Sequence, residues 1–107
     1  MTDKVMEFLV ASGGGSLDEL IVRVPNDPKE IAESLTQLAD KHYIKAAGPK
    51  SIRDFHALVA QVAENNGNKN DNLKRRGRVL EEIIQHQRDF MATIVRPTTL
   101  GLTFGLR

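Results

Sequence analysis

Residues 27–44 have the sequence DPKEIAESLTQLADKHYI, the most regular pattern in the chain. Asp27 is a favourable N-cap, and Pro28 suits the first helical position, where no amide hydrogen is needed. The apolar residues that follow recur at intervals of four, three and one, which places them on one side of a helix. They are Ile31, Leu35, Leu38 and Ala39. The stretch predicts an amphipathic helix that ends near His42 and leads into a short extended segment.

Two shorter helices are predicted before this stretch. Apolar residues at helical spacing indicate a first helix over about residues 3–11, which the three glycines at positions 13–15 end. Ser16 stands three residues before Glu19, the spacing of a capping box, in which each side chain binds the backbone amide of the other residue. We therefore expect a second helix to begin at Ser16 and to end before Pro25.

The second half of the chain predicts two further helices and a strand-like end. Ser51 and Asp54 have the spacing of another cap, and helical periodicity continues from there to an Asn-rich loop at residues 64–72. A fifth helix is predicted over about residues 72–95. In the tail at residues 98–107, large apolar residues alternate with Thr and Gly, which is typical of a strand. The apolar residues of this tail are Leu100, Leu102, Phe104 and Leu106.

Residues 5–44 together resemble the helix-turn-helix core of bacterial and archaeal winged-helix transcriptional regulators. The resemblance rests on the order helix, glycine-rich loop, helix, turn and helix, and on a third helix with Asp27 and Pro28 at its start and Ile44 after its end. It implies a mainly α fold: a winged-helix-like three-helix core with a reduced wing at residues 45–50, two further helices and a short C-terminal strand-like tail. The corresponding parts of the chain are a core at 1–50, a helical extension at 51–95 and an apolar alternating tail at 96–107.

The resemblance also implies binding to double-stranded DNA without catalysis, as a small transcriptional regulator. In that family the third helix lies in the major groove, and helix 2 and the wing contact the phosphate backbone. The positions of this sequence that match the base-contacting ones are Lys29, Thr36 and Gln37. The phosphate contacts are expected from Lys45, Lys50 and the basic run formed by Lys74, Arg75, Arg76 and Arg78.

The charge distribution departs from that of a typical DNA reader. The formal net charge is only +1, so no strong overall field attracts polyanions. Residues 1–50 carry a balance of −2, whereas residues 51–107 carry +3. The third helix is acidic, and Glu33 occupies a position where a basic residue would neutralise phosphate. The basic run falls at a helix N-terminus, where the helix dipole disfavours positive charge, so an anionic partner is one explanation for it.

A second interpretation is a protein-interaction module of the same fold, or a subunit of a larger assembly. Such a module would dock through the acidic third helix and through the apolar tail. The tail either adds a strand to a partner's sheet, exchanges between two copies, or packs along its own wing strand. The apolar stripe of residues 72–95 either forms a homodimer contact or folds back on the first four helices. A regular coiled coil is poorly supported, because Arg76 and Gln87 fall at seam positions.

Other classes of protein fit the sequence less well. The absence of cysteine rules out a disulfide scaffold, a thiolate metal site and a cysteine nucleophile. The three histidines, His42, His56 and His86, are far apart and form no metal-ligand motif. No apolar stretch approaches the roughly 20 residues of a membrane span. We therefore expect a cytoplasmic protein that is not an enzyme and has no metal or other cofactor.

Overall fold

The computed structural model describes residues 4–66 and 72–105, with the side chains of residues 65, 66, 72, 73, 104 and 105 left aside. Within these residues the chain is mainly helical, as predicted, with six α-helices and one small sheet. The elements in chain order are α1 (Lys4–Ser12), β1 (Gly15–Ser16), α2 (Leu17–Arg23), α3 (Pro28–Asp40), β2 (Ile44–Ala47), α4 (Ile52–Asn66), α5 (Asn72–His86), β3 (Ile94–Pro97) and α6 (Thr99–Gly105).

The three strands form an antiparallel sheet in the order β1-β3-β2. The last strand of the chain therefore lies in the middle, between two strands that belong to the first 50 residues. The paired residues are Gly15–Val95 and Ser16–Ile94 on one side, and Ile44–Pro97, Lys45–Arg96, Ala46–Val95 and Ala47–Ile94 on the other. In sequence, β2 and β3 are joined by α4 and α5, so a pair of helices occupies the place of a short hairpin loop.

A single hydrophobic core includes residues from both halves of the chain. Its aromatic centre is Phe55 of α4 against Phe90, with ring centroids 6.3 Å apart in an edge-to-face arrangement. Residues 51–95 therefore do not pack as a separate unit beside residues 1–50. The largest fully buried side chains are Phe55, Phe90, Met6, Leu9, Leu17, Leu20, Ile21, Ile31, Leu35, Ile83, Val5 and Val24.

Two of the three predicted helix caps are confirmed. The Asp27 carboxylate accepts a 3.0 Å hydrogen bond from the Lys29 N–H at the start of α3. At α4, the Asp54 carboxylate accepts hydrogen bonds from the Ser51 N–H and hydroxyl at 2.9 and 3.0 Å, and the Asp54 N–H donates to Ser51 Oγ. The box predicted at Ser16 is wrong: its side chain makes no capping bond, and the residue instead pairs with Ile94 in the sheet.

The fifth helix is shorter than predicted, because α5 ends at His86 and does not continue to residue 95. A 3₁₀ turn at Arg88–Phe90 then reverses the chain and places the Phe90 ring in the core. A straight helix to residue 95 would have been roughly 36 Å long and would have carried Phe90 away from that core. The reversal also brings the following residues back as the central strand β3.

The strand near the C-terminus is present at residues 94–97, and residues 99–105, which were predicted to be extended, form α6 instead. Thr98 starts this helix: its hydroxyl donates to the His42 carbonyl and accepts from the Gly101 N–H. Gly101 lies against the Tyr43 backbone, where an added Cβ would come within 1.9 Å of the Tyr43 carbonyl oxygen. This close packing outweighs the alternating pattern, which in isolation favours a strand.

The apolar stripe of α5 folds back on its own chain, one of the two arrangements that the sequence left open. Val79 and Ile83 are buried in the core, and Leu80 is half-buried beside them. Exposed apolar side chains on this part of the chain are Ile84 and, after the turn, Met91. None of the helices in the described part of the chain combines the length and apolar character needed to cross a membrane.

Candidate nucleic-acid interface

The basic run at the start of α5 has two half-buried side chains, Arg75 and Arg76, and two exposed ones, Lys74 and Arg78. Arg75 turns inward and forms an ion pair with Asp27, the N-cap of α3. Its Nε donates to the two carboxylate oxygens at 3.2 and 3.1 Å, and an Nη atom contacts one of them. Both side chains of this pair are largely buried. The pair joins the first turn of α5 to the first turn of α3.

Arg76 turns inward on the adjacent side of α5 and binds backbone carbonyls at the end of α2. Nη1 donates to the carbonyl oxygens of Val24 and Asn26 at 2.8 and 3.0 Å. Nη2 donates to those of Val22, at 3.2 Å, and Ile21. The last carbonyls of a helix have no partner within the helix and lie at the negative end of its dipole. Arg76 therefore satisfies acceptors that α2 itself cannot.

These contacts within the protein explain the presence of the two arginines, so no anionic binding partner from outside the chain is needed to explain them. They also change the set of residues available to DNA, because the guanidinium groups of Arg75 and Arg76 are already bound within the protein. The side chains of Lys74 and Arg78 are exposed. They are four residues apart, on one face of the helix, with Arg75 beside them. The ion pair of Arg75 therefore places this exposed basic pair next to the start of α3.

Two more exposed basic residues lie around the same turn. Lys29 is on the first turn of α3, and Arg23 is the last residue of α2, between two carbonyl groups that Arg76 binds. Lys29 was predicted from the sequence as a base-contacting residue, whereas Arg23 was not. The available signal was weak, since a single Arg at a helix end is most simply explained by the helix dipole. We refer to Arg23, Lys29, Lys74 and Arg78 as the basic turn surface.

The other two predicted base-contacting residues of α3, Thr36 and Gln37, differ in their exposure to solvent. Gln37 is exposed, whereas Thr36 is half-buried and its hydroxyl donates to the Ala32 carbonyl at 2.9 Å. Thr36 also lines a cleft of about 520 Å³ between α3, the end of β2 and the start of α4. The exposed side of α3 also carries Glu30, in the first turn, and Glu33, one turn before Gln37, which makes this side of the helix acidic.

The predicted wing lysines occupy different environments. Lys50 is half-buried, with Nζ 5.3 Å from the centre of the Phe90 ring, and its N–H donates to Thr93 Oγ1. Such a cation–π contact holds the side chain against the protein. Lys45 is exposed on β2 and lies directly opposite Arg96 of β3. Arg96 was not among the residues predicted from the sequence.

The predicted partner-binding residues of the tail do not form one face. Leu100 and Leu102 are 53% and 39% exposed, but on a helix they are about 200° apart and do not share a face. The side chain of Phe104, and Leu106, lie outside the described residues. The predicted homodimer contact through residues 72–95 stays a prediction, for which Ile84 and Met91 supply exposed apolar surface.

His42, His56 and His86 are all exposed, and the described ranges contain no cluster of three potential metal ligands.

The pKa of Asp27 reflects its position between α3 and α5. Partial burial by itself raises the pKa of this carboxyl group. The hydrogen bond from Arg75, the N–H of Lys29 and the two positive charges outweigh burial, so the pKa lies below its ordinary value of 3.8. The ionised form is therefore the one that holds α5 against α3.

This shift predicts an acid-sensitive contribution to stability. A lowered pKa stabilises the fold at neutral pH, and the contribution is lost as the pH falls below about 4 toward the pKa of the folded state. Asp27→Asn keeps a helix cap but removes the charge, so we expect a loss of about 1 kcal/mol at pH 7. Urea unfolding at pH 7 and pH 3 should show the variant and the parent converging at low pH. An equal difference at both pH values would contradict the assignment.

No known protein family matches the chain, and no curated protein and no solved structure has significant similarity to it.

Proposed function

We propose that the protein binds double-stranded DNA without catalysis, as a small cytoplasmic regulator of the winged-helix type. The observation that carries the proposal is the docking of α5 on the turn between α2 and α3. Through Arg75 and Arg76, that docking positions exposed basic side chains beside the first turn of α3. In helix-turn-helix proteins, the first turns of the third helix are the ones that approach the bases.

The order of elements supports the same proposal. A helix, a short strand, two helices joined by a tight turn, and two more strands that complete an antiparallel sheet are typical of a winged helix. In this chain α4 and α5 take the place of the wing, and α5 brings cations to the DNA-facing end of the domain. The basic turn surface favours phosphate groups at this location.

The proposal is tested by titrating the full chain with a 24-bp duplex, measured by fluorescence anisotropy at several salt concentrations. The double variant Lys74→Ala/Arg78→Ala should bind about tenfold more weakly at 50 mM salt. Its log–log salt slope should also fall by about 2, because each lost phosphate contact releases about one counterion fewer. A matched control is Lys4→Ala/Arg88→Ala, which removes the same charge from exposed positions elsewhere.

The two double variants separate a local contact from general electrostatic attraction. Equal losses in both variants would mean that overall charge, and not the basic turn surface, governs binding. Absence of salt-dependent binding by the parent chain at 50 mM salt would exclude the DNA function itself.

A second candidate function is a protein-interaction module, favoured by the acidic side of α3. Glu30, Glu33 and Asp40 are exposed there, and they would repel a phosphate backbone lying along this side of the helix. The exposed leucines of α6 supply apolar surface for the same partner. A parent chain that shows no DNA binding in the titration above would leave this candidate as the better one.

A further inference from the structure

Strand β2 forms one edge of the sheet, and its pairing with β3 fixes the direction of its backbone groups. The Thr98 N–H donates to the Tyr43 carbonyl at 3.0 Å, just before β2 begins. Hydrogen-bonded positions alternate along an antiparallel pair, so Lys45 and Ala47 bond to β3, whereas the N–H and C=O of Ala46 point away from it. The strand order β1-β3-β2 places no strand beyond this edge among the described residues.

Two further observations agree with a free backbone edge at Ala46. Ile44 is the other residue of β2 whose N–H points away from β3, and it lies opposite Pro97, which has no N–H to donate. Among residues 4–66 and 72–105, no group outside the sheet forms a hydrogen bond with Ala46. An unpaired donor and acceptor on a strand edge form a template for another extended chain. The edge of β2 at Ala46 is therefore open to strand addition.

The cleft of about 520 Å³ between α3, β2 and α4 adjoins this edge, because Ala46 lines it. Its volume lies in the range of about 300–1,000 Å³ that is typical of ligand pockets. Ala39 and Ile52 give it apolar surface, and Asp40 and Arg53 bring opposite charges to it. Both charged side chains are exposed, and neither has an ion-pair partner among the described residues. The cleft therefore suits a large side chain with an apolar body and a polar end.

We propose that the edge of β2 binds an extended segment of a partner protein, with one large side chain of that segment in the cleft. In an antiparallel addition, the residue opposite Ala46 exchanges two N–H···O bonds with it. Its side chain points to the same face as that of Ala46, which packs against the core. The main-chain bonds supply affinity, and the cleft supplies specificity. A tyrosine suits the cleft, because its ring is apolar and its hydroxyl binds a charged group.

This site lies apart from the basic turn surface. Lys29 and Asp40 are eleven residues apart on α3, a separation of about 16 Å along the helix. The peptide site therefore does not depend on the proposed DNA function, and the two are tested separately. An extended segment at β2 would link the domain to a second protein while the start of α3 stays accessible.

The test uses the full chain labelled with ¹⁵N and the pentapeptide acetyl-Thr-Val-Tyr-Val-Thr-amide as the probe. In the free protein, the Ala46 N–H should exchange rapidly with solvent, whereas the Lys45 N–H, bonded to β3, should exchange slowly. We expect the peptide to bind with a Kd of about 1 mM and to shift the Ala46 amide resonance. At about 10 mM peptide, exchange of the Ala46 N–H should slow by about tenfold, because about one site in ten remains free.

Two control peptides separate the backbone contact from the cleft. Methylation of the tyrosine nitrogen removes a hydrogen bond to Ala46 and should weaken binding at least tenfold. Replacement of the tyrosine by alanine leaves the cleft empty and should also weaken binding at least tenfold. Equal binding of the parent and methylated peptides would overturn the proposal, as would an unchanged Ala46 resonance at about 10 mM peptide.

The exchange rate of the free protein provides a separate check. Slow exchange of the Ala46 N–H at every protein concentration would mean that the chain itself covers the edge. Slow exchange that develops only as the protein concentration rises would assign the edge to a second copy of the chain. Either result overturns the peptide site, and neither bears on the DNA titration.

Discussion

Replacing Arg76 with alanine is expected to lower the free energy of unfolding by about 3 kcal/mol. The change removes hydrogen bonds from a charged group to four carbonyl oxygens, two in the last turn of α2 and two in the turn that follows it. Hydrogen bonds to charged groups contribute about 1.5–3 kcal/mol each, and buried acceptors left without a partner add to the loss. Removal of a positive charge from the N-terminal end of α5 offsets this by less than about 1 kcal/mol.

Two further variants separate the carbonyl contacts from charge and from helix propensity. Arg78→Ala makes the same substitution two residues later, at an exposed position of the same helix, and it should change stability by less than about 0.5 kcal/mol. Arg76→Lys keeps the charge, but an ammonium group cannot bind as many carbonyls as the planar guanidinium fork, so an intermediate loss is expected. Urea unfolding monitored by circular dichroism measures all three, and equal stability of Arg76→Ala and Arg78→Ala would contradict the proposed contact.

The elements that the sequence predicts well are those with short-range signals. The third helix has a cap, a proline at its first position and one apolar stripe, and each of these acts within a few residues. The same holds for α4, whose start at Ser51 and Asp54 is visible from their spacing alone. Signals of this kind fix where a helix begins and which side it buries, and they were enough to predict a mainly α chain.

Which residues of the basic run bind within the protein could not be predicted from such local signals. Arg75 and Arg76 find their partners 48–55 residues away, on Asp27 and on the end of α2. In the sequence the run appears as one charged unit, because nothing local distinguishes an Arg that binds carbonyls from an Arg that faces solvent. The distinction arises only when α5 packs against α2 and α3. The structure therefore differs from the sequence prediction more in the candidate site than in the fold.

The two errors near the C-terminus have a related cause. Periodic apolar residues continue from α5 past Phe90, and the tail alternates from Leu100 onward, so local patterns favoured one long helix and a late strand. The structure instead places a strand at residues 94–97, where it completes a sheet with strands from the first half of the chain. Strand pairing of this kind depends on partners distant in sequence, which a local pattern does not contain.

Gly48 is the position at which this distant pairing is most sensitive to side-chain size. It follows β2, has a φ of 150°, and lies against the residues that precede β3. An added Cβ would come within 2.5 Å of Thr93 Cα, 2.8 Å of Thr93 Oγ1 and 2.9 Å of the Ala92 carbonyl oxygen. Two of these atoms belong to the backbone and cannot move independently. The third, Thr93 Oγ1, accepts the hydrogen bond from the Lys50 N–H.

Gly48→Ala is therefore expected to destabilise the protein by about 3 kcal/mol, from an unfavourable φ and from overpacking together. The strain lies between the end of β2 and the residues that precede β3. Because both segments are in the interior of the chain, local unfolding of a terminus would not relieve it. Gly77→Ala is the matched control: Gly77 is exposed in α5 with open space around its Cα, and alanine there should raise stability by about 0.5–1 kcal/mol. Opposite shifts of the two urea midpoints are expected. A neutral Gly48→Ala variant would show that the loop after β2 does not lie against Thr93, and the pairing of β2 with β3 would then need revision.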